Sequence, residues 1–311
     1  MTHVHEFAKR LSLGRITLQA ADGIIIAALA LYSLLGVSFQ VTDWVLLVGQ
    51  NIGLALAVVV SAYYTPRIRS KFGRFLLRTA TITLSYAYMF GAVANLQLIL
   101  HHVWLDDLVL DLEQYLFGVQ PTLWIEKYIS PWLTEWMMFS YVIYVPMYPI
   151  LCGIIYYKHG EAPMEEYFFT LGLTNVLCNI GFILFPVASP MYWIRELYTV
   201  PLDGYLWTAL GEVMRSNLHY AGGSIPSPHA AAATIMWVMA YRYHRPTFWV
   251  ISPIILSLYV STFYGRYHYL TDAVVGIAVA GIALLLVPIL VKGWNGIVLR
   301  LPAAGSSPQG T

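Results

Sequence analysis

Two short stretches of this 311-residue chain carry side chains able to do chemistry together. The first, Gly222-Gly223-Ser224-Ile225-Pro226-Ser227-Pro228-His229, runs directly into four alanines and an apolar segment. Ser227 has the character of a helix N-cap and Pro228 suits the first helical position, which puts His229 in the first turn. A helix N-terminus offers free N–H groups and a positive dipole end to an anion. Gly223 lets backbone approach such a ligand closely, with Ser224 beside it. In the second stretch, Ser261-Thr262-Phe263-Tyr264-Gly265-Arg266-Tyr267-His268-Tyr269-Leu270-Thr271-Asp272, His268 and Asp272 are four apart and share a helical face. A carboxylate there can hold the imidazole N–H, fix its tautomer and raise its nucleophilicity. The plainer alternatives are a loop turn for the first stretch and a helix-capping Asp272 for the second.

The elements that position these residues follow from composition. Hydrophobic residues make up 59% and charged residues 11%, against about a quarter charged in soluble domains. A formal charge of +1 and the lack of a basic tract exclude nucleic acid as a partner. Apolar content this high excludes a disordered chain. Cys152 and Cys178 both lie in apolar runs, so neither a disulfide framework nor a CxxC metal pattern exists. The fold class is all-α integral membrane. Eight apolar runs of roughly spanning length cover residues 21–39, 44–64, 75–103, 136–157, 167–187, 228–243, 247–263 and 271–291. The first is an anchor rather than a cleaved signal. Residues 1–74 form a cytosolic segment with two helices, 75–292 a six-helix catalytic domain, and 293–311 a disordered cytosolic tail.

Basic residues orient the bundle. Lys9, Arg10, Arg15, Arg67, Arg69, Lys71, Arg74, Arg78, Arg242, Arg245, Lys292 and Arg300 all fall on one side, which makes that side and both termini cytosolic. The third connection, on the other side, is crowded with Asp106, Asp107, Asp111, Glu113 and Glu126. Its stretch 102–131 reads equally as a helix lying in the outer interface or as a folded loop. Asp22 and Asp43, near span ends, require no functional explanation.

His229 and His268, distant in sequence, then meet at the outer ends of two spans. Such a pair suits metal-independent phosphoryl transfer without a cofactor: His268 as nucleophile, Asp272 as its orienter, protonated His229 as acid and then base. Phosphate needs cations, and the outer side offers Lys127, Arg195, Arg215 and Arg266. Arg266, two residues from His268, is the leading clamp, with Ser227 beside it. His219, Asn217 and Arg215 precede the glycine pair and mark either an acceptor pocket or a hydrogen-bonded loop. A zinc site from His219, His229, His268 and Asp272 is a weaker reading, because no short-spaced ligand pair is present.

The two stretches resemble the second and third signature motifs of the type 2 phosphatidic acid phosphatase superfamily, with Ser227, His229, His268 and Asp272 matching. The His-Tyr pair before Asp272 and the segment Phe185-Pro186-Val187-Ala188-Ser189-Pro190-Met191-Tyr192-Trp193 look most like its inositol phosphorylceramide synthase branch. The resemblance implies a six-helix bundle with two added N-terminal helices, and phosphoryl transfer on a lipid at the periplasmic or luminal face. Pro228 departs from the usual Gly, Thr262 stands where phosphatases of the superfamily carry Arg, and the first motif is missing. Arg195 is a candidate for the Arg expected at Met191. The expected partners are the bilayer, a membrane lipid donor and a lipid or polyol acceptor. A lipid phosphate phosphatase would use the same residues. A lipid transporter is the rival from another class, and it requires ionisable residues at mid-depth.

Overall fold

The computed structural model describes residues 7–300. Its helices are α1 (Ala20–Ser38), α2 (Trp44–Tyr64), α3 (Lys71–Ala92), α4 (Asp106–Phe117), α5 (Pro121–Trp124), α6 (Pro131–His159), α7 (Glu161–Leu184), α8 (Pro190–Trp193), α9 (Leu206–Leu218), α10 (Pro228–Tyr243), α11 (Arg245–Tyr264) and α12 (Leu270–Arg300). Helices satisfy their own backbone groups, which the interior of a bilayer demands. Six segments are long and apolar enough to cross: α1, Trp44–Arg67, α6, α7, α11 and α12. The chain is therefore a multi-pass integral membrane protein. Helices also form at the other two expected spans. However, α10 has only 16 residues, and Lys71, Arg74 and Arg78 dilute the hydropathy of α3.

Several boundaries differ from the sequence-based ones. A small antiparallel hairpin, β1 (Leu11–Leu13) with β2 (Ile16–Leu18), precedes α1 and pairs Leu13 with Ile16. Gly14, at φ +61°, supplies the left-handed residue of its turn. The third helix stops at Ala92 and tightens into a 3₁₀ turn, Val93–Leu96, instead of running to 103. At the other end α12 continues to Arg300, so 293–300 is helix; the rest of the expected tail, 301–311, lies outside the described residues. The stretch 102–131 contains a true helix, α4, whose Asp106, Val109 and Glu113 are buried while Leu108, Leu112, Tyr115 and Leu116 are exposed.

The chain divides into two compact units that cut across the expected boundary at 74/75. One comprises residues up to Met89, Cys152–Leu173 and those from Ala283 on. The other comprises Phe90–Leu151 and Thr174–Ile282. Within the first, Arg78 donates to Glu165 through Nε (2.7 Å) and Nη2 (2.6 Å) and also pairs with Asp22. All three are buried. Asp22 is thus part of a buried ion triad, since charge removed from water persists only when paired. The second unit has an apolar cluster of Val109, Val187, Ile194, Ile225 and Tyr269, and it contains every candidate site residue named above.

Candidate active site

Local helix chemistry brings the two stretches together. Ser227 Oγ accepts from the Ala230 N–H (3.3 Å), and Pro228 opens α10. The Ser227 N–H donates to the Asp272 carbonyl (2.9 Å). Gly276, one turn further along α12, lies so close to the Ser227 carbonyl that a Cβ would collide with it. Close approach of α10 and α12 therefore requires glycine at 276. Asp272 Oδ2 accepts from the Tyr269 N–H (3.0 Å), closing the first turn of α12.

The result is a pair of facing imidazoles. His268 Nε2 lies 3.2 Å from His229 Nδ1. On its other side, His268 Nδ1 lies 2.9 Å from the Ser224 carbonyl oxygen. A carbonyl can only accept, so Nδ1 carries the hydrogen, and Nε2 of the neutral ring holds the lone pair. His229 Nδ1 is then the donor in the His–His contact. Asp272 Oδ2 is 3.5 Å from His268 Nδ1 and takes a shorter hydrogen bond, 2.6 Å, from Ser224 Oγ. Ser224, Ser227, His268 and Asp272 are all buried. Asp272 thus stands beside the imidazole, as expected, but the atom that holds the ring's N–H belongs to Ser224.

Rings pack around His229. Tyr141 stacks on it at 4.7 Å between centroids, and Tyr144, one turn along α6, lies at 5.3 Å. Tyr141 also stacks on Tyr267 (4.2 Å), and Tyr267 on His219 (4.9 Å). His219 Nε2 meets the Tyr141 hydroxyl at 3.0 Å. Burial first, then the charges of His268 and Arg215, holds the His219 imidazole down to about 4, so it is neutral near pH 7. His219 is therefore part of the wall behind His229, while Asn217 is exposed and bonded to the Val213 carbonyl (2.7 Å).

The cations are distributed differently from the expectation. Arg266, at φ +67°, donates to Glu126 (2.9 Å) and to the Val200 carbonyl, and its guanidinium lies 4.1 Å above the Tyr198 ring. It is committed to a partly buried carboxylate, which needs the charge, and is not presented to the histidines as a free clamp. Arg215 pairs with Glu212 on α9. Arg195 is exposed on a 3₁₀ turn. Lys127 lies 3.8 Å over Trp124. Of these, Arg215 has a charge that bears on both His219 and Tyr267.

Residues read only as charge bias turn out to build the site. Asp106 accepts from the Ala188 N–H (2.7 Å), the Ser189 N–H (3.1 Å) and the Tyr269 hydroxyl (2.9 Å). It ties the loop before α8 to the residue following His268. Glu113 accepts from the Thr271 N–H (2.8 Å) and hydroxyl (3.0 Å), satisfying the start of α12. Gln97 Oε1 takes the Gly223 N–H at 2.6 Å, and Gly222 and Gly223 both have positive φ, +117° and +64°. The backbone of this glycine pair is thus spent on positioning Ser224. The spacing of Asp106 and Glu113, two helical turns apart, was the available signal. Among the described residues no three His, Cys, Asp or Glu side chains group as a metal ligand set.

A family model described as the PAP2 superfamily matches residues 108–286, which include His219, Ser224, Ser227, His229, His268 and Asp272 but stop short of Gln97 and Asp106. The chain belongs to the PAP2 superfamily, whose members are generally phosphatases or phosphotransferases. No curated protein and no solved structure matches it.

Proposed function

We propose that the protein is a membrane phosphotransferase that moves a phosphoryl or phospho-head group between lipid-linked hydroxyls through a phosphohistidine on His268. The observation that carries this is the opposed pair, His268 Nε2 against His229 Nδ1 at 3.2 Å, with the far nitrogen of His268 anchored on Ser224. The Nε2 lone pair attacks phosphorus, and the bond from phosphorus to the leaving oxygen breaks. That oxygen takes a proton from His229. An acceptor hydroxyl then attacks the phosphohistidine and gives its proton to His229, and the N–P bond breaks to restore Nε2. The surroundings of His229 are rings, not carboxylates, so the second proton it needs is favoured by the negative phosphoryl group itself. Ser227, with its hydroxyl at the α10 N-terminus, and Arg215 are the phosphate contacts this arrangement favours, with Arg266 a support of the loop.

We further propose eight spans with both termini cytosolic and the histidines on the periplasmic or luminal side. The basic residues flanking α1, α3 and the α10–α11 turn support that orientation. The exposed apolar face of α4 supports its lying in the outer interface. Hydrolysis of a lipid phosphate is the second reading, and it uses the same first half-reaction with water as acceptor. Alcohol transfer is preferred because His268 is buried and the half-buried His229 is partly covered by the Tyr141 and Tyr144 rings, which disfavours water.

The test uses purified protein in detergent with a panel of phospholipids and alcohol acceptors, with chelator present. Mass spectrometry follows the lipids while free phosphate is assayed. A new phosphorylated lipid with matching loss of donor, absent in His268→Ala, is the expected result. Free phosphate alone would mark the hydrolase. Turnover unchanged in His268→Ala would reject the assigned chemistry.

A further inference from the structure

We propose that Ser224 is a positioning residue that stands between Asp272 and His268, with its carbonyl fixing the imidazole tautomer and its hydroxyl restraining the carboxylate. This deepens the phosphohistidine reading and rests on it. The four atoms involved form a tight circuit. His268 Nδ1 donates to the Ser224 carbonyl at 2.9 Å, and Ser224 Oγ donates to Asp272 Oδ2 at 2.6 Å. The same Oγ lies 3.5 Å from His268 Nδ1, and Asp272 Oδ2 lies 3.5 Å from it as well. All three residues are at least 97% buried, with Ser224 at 1%, His268 at 3% and Asp272 at 0% exposure.

Accounting for the carboxylate makes the hydroxyl decisive. Asp272 Oδ2 receives two donors, Ser224 Oγ and the Tyr269 N–H, while Oδ1 is buried with no hydrogen-bond partner. The Asp272 charge is therefore sparsely solvated, and Ser224 supplies one of the two hydrogen bonds that spread it. A better-satisfied carboxylate exerts less pull on a proton on the neighbouring ring. The nucleophile is the neutral imidazole, so Ser224 protects the reactive form while its carbonyl aims Nε2 at phosphorus. Gly223, held by Gln97, sets the backbone that makes the carbonyl contact. The titratable groups facing His268 are Asp272 from α12 and His229 from α10, with the His219 imidazole, neutral near pH 7, further off in the segment after α9. Asp106 acts on Asp272 from behind.

The test reads the nucleophile with and without turnover. Diethyl pyrocarbonate acylates the neutral imidazole, and peptide mass spectrometry reports the rate at His268 across pH 5–8. Ser224→Ala is expected to move the acid limb of that profile upward by about 0.5–1 pH unit, a loss of roughly three- to tenfold in modification rate on the acid side, from one lost hydrogen bond to a charge. Ser224→Thr, which keeps the hydroxyl, restores the profile. In an Asp272→Asn background the Ser224→Ala effect disappears, because the hydroxyl acts through the carboxylate. Ser224→Cys keeps the volume and weakens the donor, giving the same comparison should Ser224→Ala unfold. An unmoved profile, or a shift that persists without the carboxylate, would overturn the proposal. Since acylation needs no lipid, failure of the transferase reading shows separately, as turnover indifferent to His268→Ala.

Discussion

His229 Nδ1 and His268 Nε2 lie 3.2 Å apart, so in the proposed chemistry the resting nucleophile is capped by its own acid. A phosphoryl group must part the two rings, since a nucleophile and phosphorus alone need about 3–3.5 Å before reaction. The division of labour predicts a leaving-group signature. His229→Gln should lose about 10²–10⁴ in kcat on an alkyl phosphate, where the leaving oxygen needs a proton. On an aryl phosphate with an acidic leaving group it should lose far less. His268→Ala should abolish both reactions. Equal loss of both substrates in His229→Gln would remove the acid role.

The Arg266–Glu126 pair makes a contrary prediction for the residue that sequence proximity favours. The pair is partly buried, at 18% and 11% side-chain exposure, so removing one partner strands a charge. Arg266→Gln should cost about 1–3 kcal/mol of stability, measured as thermal melting in detergent. Arg266→Gln with Glu126→Gln should recover much of that loss. A variant with unchanged melting but a raised KM would restore Arg266 as a phosphate ligand.

How much of this was legible in sequence depends on the range of the interaction. The caps and helix starts at Ser227 and Asp272 are local, and Ser-Pro-His followed by alanines announces them. Helices form at each of the eight apolar runs, six of them long and apolar enough to cross, while α12 outran its apolar stretch because no proline falls between Val291 and Arg300. Partners across the chain were invisible: Arg266 with Glu126 is separated by 140 residues, and Asp106 with Tyr269 by 163. The sequence also has no way to show that a backbone carbonyl, at Ser224, takes the His268 N–H. Gly276 carries no sequence signal of its own among the small residues of an apolar helix, yet Gly276→Ala should push α12 off the Ser227 carbonyl. Its expected cost is about 1–3 kcal/mol with loss of turnover, and wild-type melting and activity would show that the two helices can separate freely.

Asp106 gives a pH prediction. Burial pushes its carboxyl upward from the ordinary range, against the pull of its bonds to Ala188, Tyr269 and Ser189. A raised acid favours its protonated form in the folded chain, so its contribution is full below the ordinary carboxylate range and is lost as pH rises through the folded value. Glu113, also raised by burial, adds to the same slope. Asp106→Asn removes one of these titrations, and its melting temperature should vary less between pH 4 and 6.5 than that of the wild type. It should also be less stable by about 1–3 kcal/mol, because the amide turns a donor toward a backbone N–H. An unchanged slope would show that Asp106 does not titrate in that window.

The last prediction separates the scaffold from the chemistry. Arg78 is the cation between Asp22 and Glu165, all buried in the first unit, and none of the three lies in the unit that holds the histidines. Arg78→Met leaves two buried carboxylates without a counter-charge and should cost about 3–5 kcal/mol. Neutralising the triad together, with Asp22→Asn and Glu165→Gln added, should return most of that stability, since the cost lies in the stranded charges rather than in the missing contacts. Per folded molecule, kcat should stay within about twofold in either case, as expected of sites that share no partners. Melting in detergent, paired with turnover normalised to folded protein, checks both halves. A large fall in kcat in the melting-restored triple variant would mean that the ion triad serves the reaction and not the fold alone.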